Sequence, residues 1–326
     1  MATRFEIVLF GENAVALRAA GEEALDEIER LEGQLSLYRP SSELSNINAC
    51  AATRPVRVEP KLFRLLQRAQ RLSFESGGAF DVTVAPLMRC WGFVQDTGRL
   101  PDPEELKDAQ GKVGMHLVAL QEDDFTVRFH REGVMIDLGS IGKGYALECA
   151  SELLQDAGVI SALLQGGTSS AYAIGTPPDA EAWKIAIEHP NLNKSGRISS
   201  TSSSKGEGLP SDELIAVVPL KNESLSVSAV WGKSFEAAGK AYGHVIDPRI
   251  GRPVDGPLLA AVALSSAAES DALSTALLTL GLAGIDQITK LRPGMRGLIM
   301  SRLQGSDSLH FRAKGIDIIS PENRIT

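Results

Sequence analysis

The amino-acid sequence predicts an α+β fold. Apolar residues at helical spacing predict amphipathic helices at 13–35 and 60–76, and short apolar runs predict strands at 4–10, 160–164 and 171–174. No internal repeat is present, and the 326 residues are enough to bury a sizeable core. Because helices and strands are mixed without strict alternation, α+β or an open α/β layer is favoured over a barrel.

Weaker signals place the other elements along the chain. In order, these are a Pro-, Ser- and Asn-rich loop at 37–48, a short helix at 103–110, strands at 116–120 and 125–129, helices at 144–157 and 269–282, and a final strand pair near Leu298 and Leu309. Residues 190–211 hold Ser, Gly, Lys and Asn with almost nothing to bury. This composition predicts a mobile surface insertion rather than a domain boundary, so we expect one domain over residues 1–326.

Charge and composition exclude several classes of protein. The net charge is −8, from 33 Lys plus Arg against 41 Asp plus Glu, which argues against nucleic-acid binding and a basic membrane-docking face. Cys50, Cys90 and Cys149 are too scattered for a disulfide framework or a zinc site. No secretory signal or apolar run of about 18 residues is recognised, so we expect a cytoplasmic protein without stable membrane insertion.

The first segment with candidate functional residues is GGAFDVTVAPLMRCWGF, at residues 77–93. Its two glycines allow a ligand to approach the backbone closely, and Asp81 is able to accept hydrogen bonds from a ligand amide or hydroxyl. Phe80 or Trp91 would flank a flat ring. A tight turn entering a buried apolar segment explains the same residues equally well.

The second segment is IDLGSIGKGYALE, at residues 136–148. Small residues lead into a helix, so free backbone amides would face an anion placed there, and Lys143 adds a positive charge suited to phosphate. Its glycine spacing matches neither the dinucleotide-binding motif nor a P-loop. A glycine-rich turn between a strand and a helix is the alternative.

Two further segments carry a histidine and a carboxylate. In YGHVIDPRIGRPVDG, at 242–256, His244 is a candidate general base, although a lone histidine is more often structural. In AAESDALSTALLTLG, at 267–281, Asp271 and Thr275 lie four residues apart on one face of a helix. A carboxylate and a hydroxyl on one face suit Mg²⁺, and an ordinary helix cap is the alternative.

Taken together, these segments resemble the ApbE family of FAD:protein FMN transferases. The resemblance starts at YRPSSEL with the following Asn48, and continues through GAFDVTVAPL with Trp91, DLGSIGKGYALE, HVIDPRIGRPV and DALSTA. The five matches come in the family's order and span roughly residues 35–285. Two departures are Thr168, where the family usually has Asp, and Trp231, where it has small residues.

The resemblance implies a fold, an activity and a set of partners. The fold would be of the ApbE type, with T-fold-like layered sheets and packed helices. The activity would be Mg²⁺-dependent transfer of FMN from the substrate FAD to a threonine hydroxyl of an acceptor flavoprotein, with release of AMP. The acceptor would carry a threonine motif similar to DxxSGAT.

The resemblance also implies roles for individual residues. Positions that would bind the flavin nucleotide are Tyr38, Ala79, Phe80, Asp81, Asp137, Ser140, Lys143 and Ile246. The magnesium ligands would be the side chains of Asp271 and Thr275 with the backbone carbonyl at Ser140. His244 would assist attack by the acceptor threonine.

Two alternatives use the same nucleotide-binding residues. A Mg²⁺-dependent FAD pyrophosphatase would use water as the acceptor and give FMN and AMP. A non-catalytic FAD-binding protein would explain the changes at Thr168 and Trp231.

Overall fold

The structure is a computed structural model that describes residues 3–189, 198–200, 214–302 and 308–319. Backbone contacts divide the chain into two compact units, each made of discontinuous segments. The first unit comprises Met1–Leu31, Ile141–Ala229 and Gly256–Thr326, and the second comprises Glu32–Ser140 and Val230–Asp255. The single domain expected over 1–326 stays a prediction.

The helices of the described residues range from short segments to helices of several turns. They are α1 (Ala14–Leu35), α2 (Glu43–Cys50), α3 (Pro60–Glu75), α4 (Ala85–Cys90), α5 (Pro103–Gln110), α6 (Gly142–Asp156), α7 (Ala267–Leu280) and α8 (Ile285–Thr289).

The strands are mostly short and pair only in antiparallel fashion within the described residues. They are β1 (Phe5–Leu9), β2 (Val56–Arg57), β3 (Val118–Gln121), β4 (Thr126–Phe129), β5 (Ala162–Gly166), β6 (Ser170–Ile174), β7 (Trp183–Glu188), β8 (Ile198–Ser200), β9 (Leu214–Leu220), β10 (Glu223–Ala229), β11 (Ser234–Ala237), β12 (Lys240–Gly243), β13 (Ile246–Asp247), β14 (Arg252–Pro253), β15 (Pro257–Leu264), β16 (Arg296–Arg302) and β17 (Leu309–Lys314).

The first unit is built on a seven-stranded sheet with the strand order β1-β5-β6-β10-β15-β16-β17, beside a three-stranded sheet β8-β7-β9. Helix α6 packs on β5 and β6, and α7 packs on β10 and β15. The last six residues of β15 are buried, as are most residues of α7. The α6–α7 pair is therefore held against the centre of the sheet by apolar burial.

The second unit holds a three-stranded sheet β2-β4-β3 and two small hairpins, β11-β12 and β13-β14. Helix α3 buries an apolar stripe that includes Leu62, Leu66 and Leu72, as its amphipathic pattern predicts. A separate apolar cluster joins Trp91, a buried residue just after α4, to the hairpin β11-β12 through the rings of Phe235 and Tyr242.

The α+β prediction is confirmed, since helices pack against layered antiparallel sheets. Two short helices depart from the predicted elements. Helix α2 begins inside the segment expected to be a loop, because Ser42 accepts a hydrogen bond from the Ser45 amide at 2.9 Å and both Leu44 and Ile47 are buried. Helix α4 lies where only a loop was expected, and its first turn carries Pro86.

The segment Ala267–Thr289 is long and apolar enough to cross a membrane, contrary to the reading of the sequence. However, 67% of its most apolar window is buried inside the structure, which is the pattern of a core helix. In the expected insertion at 190–211, residues Ile198–Ser200 form β8 and pair with β7. The rest of that segment lies outside the described residues.

Candidate functional site

Helices α6 and α7 approach each other closely at Gly144, in the first turn of α6. A β-carbon at this position would lie 2.0 Å from the carbonyl oxygen of Ala267 and 2.8 Å from Cβ of Asp271. Only glycine permits this approach, which brings the carboxylate of Asp271 to the N-terminus of α6.

The carboxylate of Asp271 serves as the N-terminal cap of α6. The residue before this helix is Ile141, whose side chain has no acceptor, and Asp271 Oδ2 instead accepts from the Gly144 amide at 3.0 Å. A negative charge at this end of a helix is also favoured by the helix dipole. The alternative that Asp271 caps its own helix is wrong, because Ser266 is the N-cap of α7 and Asp271 caps α6 instead.

The capping is reciprocal between the two helices. At the start of α7, Oε2 of Glu148 accepts from the Ser266 hydroxyl at 2.6 Å and from the Ala268 amide at 3.2 Å. Glu148 lies on α6, so each helix supplies a carboxylate to the other's N-terminus.

Lys143 forms an ion pair with the same carboxylate of Asp271. Its Nζ lies 3.3 Å from Oδ1 and 3.5 Å from Oδ2, and the two side chains are 22% and 5% exposed. The structure therefore brings together two residues predicted for the site, one from the nucleotide set and one from the metal set.

Thr275 lies one turn after Asp271 and has two hydroxyl-bearing neighbours that sequence reasoning missed. Its Oγ1 lies 3.1 Å from Oγ of Ser228, which is itself 2.8 Å from Oγ of Ser274. Alternating serines at 224, 226 and 228 along β10 were the available signal, since alternate residues of a strand share one face.

The oxygen atoms of Asp271 and Thr275 fit a hard cation better than a transition metal. Among the described residues there is no group of three or more His, Cys, Asp and Glu side chains able to hold a metal ion. Mg²⁺ does not need such a group, because it keeps several waters and binds through one or two carboxylates and substrate phosphates. One carboxylate and one hydroxyl on the same helix face meet that requirement.

In the second unit, the predicted flavin-binding positions 79–81 follow a turn that needs glycine. Gly77 and Gly78 have φ angles of 63° and 79°, which only glycine adopts readily. The next two residues, Ala79 and Phe80, are each 1% exposed. Their assignment to flavin binding stays a prediction.

The carboxylate of Asp81 is fully engaged inside the protein. It accepts from the Ser73 hydroxyl at 2.9 Å, the Thr83 amide at 2.8 Å, the Thr83 hydroxyl at 2.5 Å and the Met115 amide at 3.0 Å. A carboxylate has about four acceptor positions, so these partners leave little capacity for a ligand. The side chain of Asp81 therefore links α3, the 80–83 turn and the short helical turn Met115–Leu117.

The aromatic rings expected to flank a ligand are core residues instead. Phe80 is 1% exposed and Trp91 is 5% exposed, so neither ring presents a free face. The indole N–H of Trp91 donates to the carbonyl of Gly251 at 2.9 Å, and its ring packs 5.5 Å from that of Tyr242. Ile246, in β13, is buried in the same cluster, and its assignment to flavin binding stays a prediction.

An open cleft of about 640 Å³ lies beside this turn, within the second unit. It is lined by Gln70, Ser73, Phe74, Gly77, Gly78, Asp81, Gln110, Val113, Gly114, Met115, His116, Pro248 and Arg249. Of the residues predicted for the flavin, only Asp81 belongs to this lining. Arg249 is fixed by Asp247 through hydrogen bonds of 2.9 and 2.7 Å.

His244 and Tyr38 also lie in the second unit. His244 is partly buried in the loop after β12, and its amide donates to the carbonyl of Lys233 at 3.0 Å. Gly232 is close to this side chain, since a β-carbon there would lie 3.3 Å from Cε1 of His244. Trp231, which precedes Gly232 in the chain, is partly buried. Tyr38 is 69% exposed and offers an open aromatic face.

Asp137 and Ser140 stand at the end of the second unit's first long segment. Oδ1 of Asp137 accepts from the Gly139 amide at 2.8 Å. Burial raises the pKa of the Asp137 carboxyl above its ordinary value, and the hydrogen bond from Gly139 opposes that rise. Ser140 is partly buried, and its assignment through the backbone carbonyl stays a prediction.

The chain was compared with known proteins. The model of the ApbE family matches residues 1–299. The chain is 28% identical over 320 residues to a Treponema pallidum protein named FAD:protein FMN transferase, with coverage of 93% of this chain and 84% of the relative. A Haemophilus influenzae protein of the same name is 28% identical over 291 residues, covering 86% and 79%.

A solved structure supports the same relationship. The apo form of the Pseudomonas stutzeri flavinyl transferase ApbE is 25% identical and superimposes with a TM-score of 0.76, over 96% of this chain and 95% of the other. The order of the five segments, the antiparallel fold and the family match over residues 1–299 agree. The chain belongs to the ApbE family.

Proposed function

We propose that this protein transfers the FMN half of FAD to a threonine hydroxyl of a partner flavoprotein, with Mg²⁺ bound and AMP released. Relatives named FAD:protein FMN transferase support the reaction type. The observation that carries the proposal is the face formed by Asp271 and Thr275, with Lys143 beside it at the N-terminus of α6.

The reaction replaces the phosphoanhydride bond of FAD by a phosphoester bond to the threonine. The threonine oxygen forms a bond to the phosphorus of the FMN phosphate, and the bond from that phosphorus to the bridging oxygen breaks. AMP leaves with the bridging oxygen, and the hydroxyl proton is taken up by a base. Such a transfer depends mainly on positioning and on neutralising negative charge.

Asp271 and Thr275 would hold the magnesium ion through their side chains. Bound there, Mg²⁺ would neutralise charge on the phosphate oxygens and help AMP to leave. Lys143 adds a fixed positive charge in the first turn of α6, where the helix dipole also favours an anion.

His244 is the proposed base for the threonine proton. Histidine changes its protonation state near neutral pH, so it is suited to accept a proton from a hydroxyl. The amide of His244 is held by the carbonyl of Lys233, which fixes the loop that carries the side chain.

The flavin nucleotide would be bound by side chains at some positions and by backbone at others. Tyr38 offers an exposed ring for stacking, whereas Ala79, Phe80 and Ile246 have buried side chains and would act through backbone atoms. Asp137 would contact the nucleotide. The acceptor would present its threonine in a DxxSGAT-like loop.

The first experiment combines the purified protein with FAD and an acceptor peptide bearing a DGxSGAT sequence, in Mg²⁺ or in EDTA. Intact mass of the peptide and release of AMP are measured together. A peptide heavier by one FMN, only with Mg²⁺, is the expected result.

The other outcomes separate the alternatives. FMN and AMP without a heavier peptide would show a pyrophosphatase and contradict the transfer. Bound FAD without either product would show a flavin-binding protein.

A further inference from the structure

The carboxylate proposed to bind the metal already has a cationic partner within its own unit. Nζ of Lys143 contacts both oxygens of Asp271, at 3.3 and 3.5 Å, and the Asp271 side chain is almost fully buried. A buried carboxylate needs such compensation, because an isolated charge removed from water is costly.

Of these two partners, Asp271 is the fixed one. Its Oδ2 accepts from the Gly144 amide, and its Cβ lies against the glycine through which α6 and α7 pack. Lys143 is joined to the pair only through a flexible side chain that remains 22% exposed. If the pair separates, it is therefore the lysine that moves.

A divalent cation and the ammonium group of Lys143 would need the same oxygens. Two positive groups that share one carboxylate at these distances repel each other strongly where water is largely excluded. Thr275, one turn along α7, offers a metal ion a further oxygen ligand. Its uncharged hydroxyl does not replace the carboxylate of Asp271 as a counterion of Lys143.

We propose that Lys143 is an internal counterion of Asp271 that Mg²⁺ displaces, so that the lysine becomes available to phosphate only when the metal is bound. This inference rests on the proposed function, since it takes Asp271 as a magnesium ligand. It assigns Lys143 a second role, as a positioning residue whose place depends on the metal.

The displacement couples two binding events. Without metal, the positive charge of Lys143 is neutralised by Asp271 and is poorly available to a phosphate. With metal, the ammonium group is released in the first turn of α6, where backbone amides and the helix dipole also attract anions. The nucleotide's diphosphate is thus held best when the cation that neutralises it is already present.

The test is Mg²⁺ binding without flavin, measured by calorimetric titration of the whole chain. Lys143→Gln removes the competing charge, so we expect it to bind Mg²⁺ about tenfold more tightly than the unaltered protein. Lys143→Arg keeps the charge and should bind close to the unaltered protein. Lys314→Gln removes the same charge from an exposed position on β17 of the same unit and should have no effect.

Thermal unfolding supplies a second readout. In EDTA, Lys143→Gln should melt at a lower temperature than the unaltered protein, because Asp271 has lost its counterion. In saturating Mg²⁺ the difference should disappear. A lysine that merely stabilises the fold would lower the melting temperature equally in both conditions.

The outcomes separate this inference from the function on which it rests. Equal or weaker Mg²⁺ binding by Lys143→Gln overturns the displacement, while Mg²⁺ binding that Asp271→Asn abolishes would leave the metal site standing. No Mg²⁺ binding by the unaltered protein would overturn the metal site and the displacement together.

Discussion

Two regions of the molecule contain a predicted site carboxylate, and the two carboxylates differ in their partners. On α6 and α7, the buried carboxylate of Asp271 contacts Lys143 and the Gly144 amide, and Thr275 lies one turn away. In the second unit, the buried carboxylate of Asp81 accepts from four donors, which occupy its acceptor positions. The difference between two equally buried carboxylates is thus the kind and number of their partners: a mobile ammonium group leaves room for a ligand, whereas four fixed donors do not.

The largest effect is expected at His244, the proposed base, which lies in the same unit as the 77–81 turn. His244→Ala should lower the rate of FMN transfer by about 10²- to 10⁴-fold, the usual contribution of a positioned base, with FAD affinity unchanged. Rates from peptide mass and FAD affinity from fluorescence quenching check this. His130→Ala, at an exposed histidine of the same unit outside the cleft lining, is the control, and unaltered transfer by His244→Ala would remove His244 from the mechanism.

Gly144→Ala tests whether the close approach of α6 and α7 at this residue holds the two helices together. The new β-carbon would meet the Ala267 carbonyl oxygen at 2.0 Å, so we expect a loss of about 3 kcal/mol or more in the free energy of unfolding. Urea unfolding measures it. Gly33→Ala in α1 has no atom nearer than 3.7 Å and should instead add up to about 1 kcal/mol. Two similar values would mean that the approach is not tight.

Asp81→Ala tests the opposite claim, that this carboxylate is structural. Removing it strands its donors inside the protein, so we expect a loss of about 3 kcal/mol in the free energy of unfolding without FAD. Asp81→Asn keeps one acceptor oxygen, so its free energy of unfolding should lie between those of the unaltered protein and Asp81→Ala. A stable Asp81→Ala protein that had lost only FAD affinity would show that the side chain contacts the flavin.

The smallest effect is expected from Thr275→Val, which removes one proposed ligand and keeps the shape. We expect the Mg²⁺ concentration for half-maximal AMP release to rise by about tenfold, with stability nearly unchanged. Thr279→Val is the control, because that hydroxyl donates only to the Thr275 carbonyl one turn back. An equal Mg²⁺ requirement in both variants would exclude Thr275 as a ligand.

The sequence predicts the local parts of this structure better than the long-range ones. Helices α3 and α5 lie close to the predicted ranges 60–76 and 103–110, and the spacing of Asp271 and Thr275 correctly predicted their common helix. By contrast, α2 was missed because its Pro-, Ser- and Asn-rich context masked a Ser42 cap with only two buried apolar residues.

Contacts distant along the chain were beyond what one sequence can predict. The bond from Gly144 to Asp271 spans 127 residues, and no local pattern indicates that α7 caps α6. The burial of Trp91 likewise depends on a hydrogen bond to Gly251, 160 residues away. The family resemblance assigned roles to individual positions, and those roles stay predictions.

The reciprocal capping of α6 and α7 determines how this part of the protein opens. If α6 separated from α7, Asp271 would leave the Gly144 amide and Glu148 would leave the Ala268 amide in the same event. The Gly144 and Ala268 amide protons should therefore exchange with deuterium at one common, slow rate. The side chains of Asp271 and Thr275, which are proposed to hold the metal, thereby lie on one helix of a pair that opens as one cooperative element.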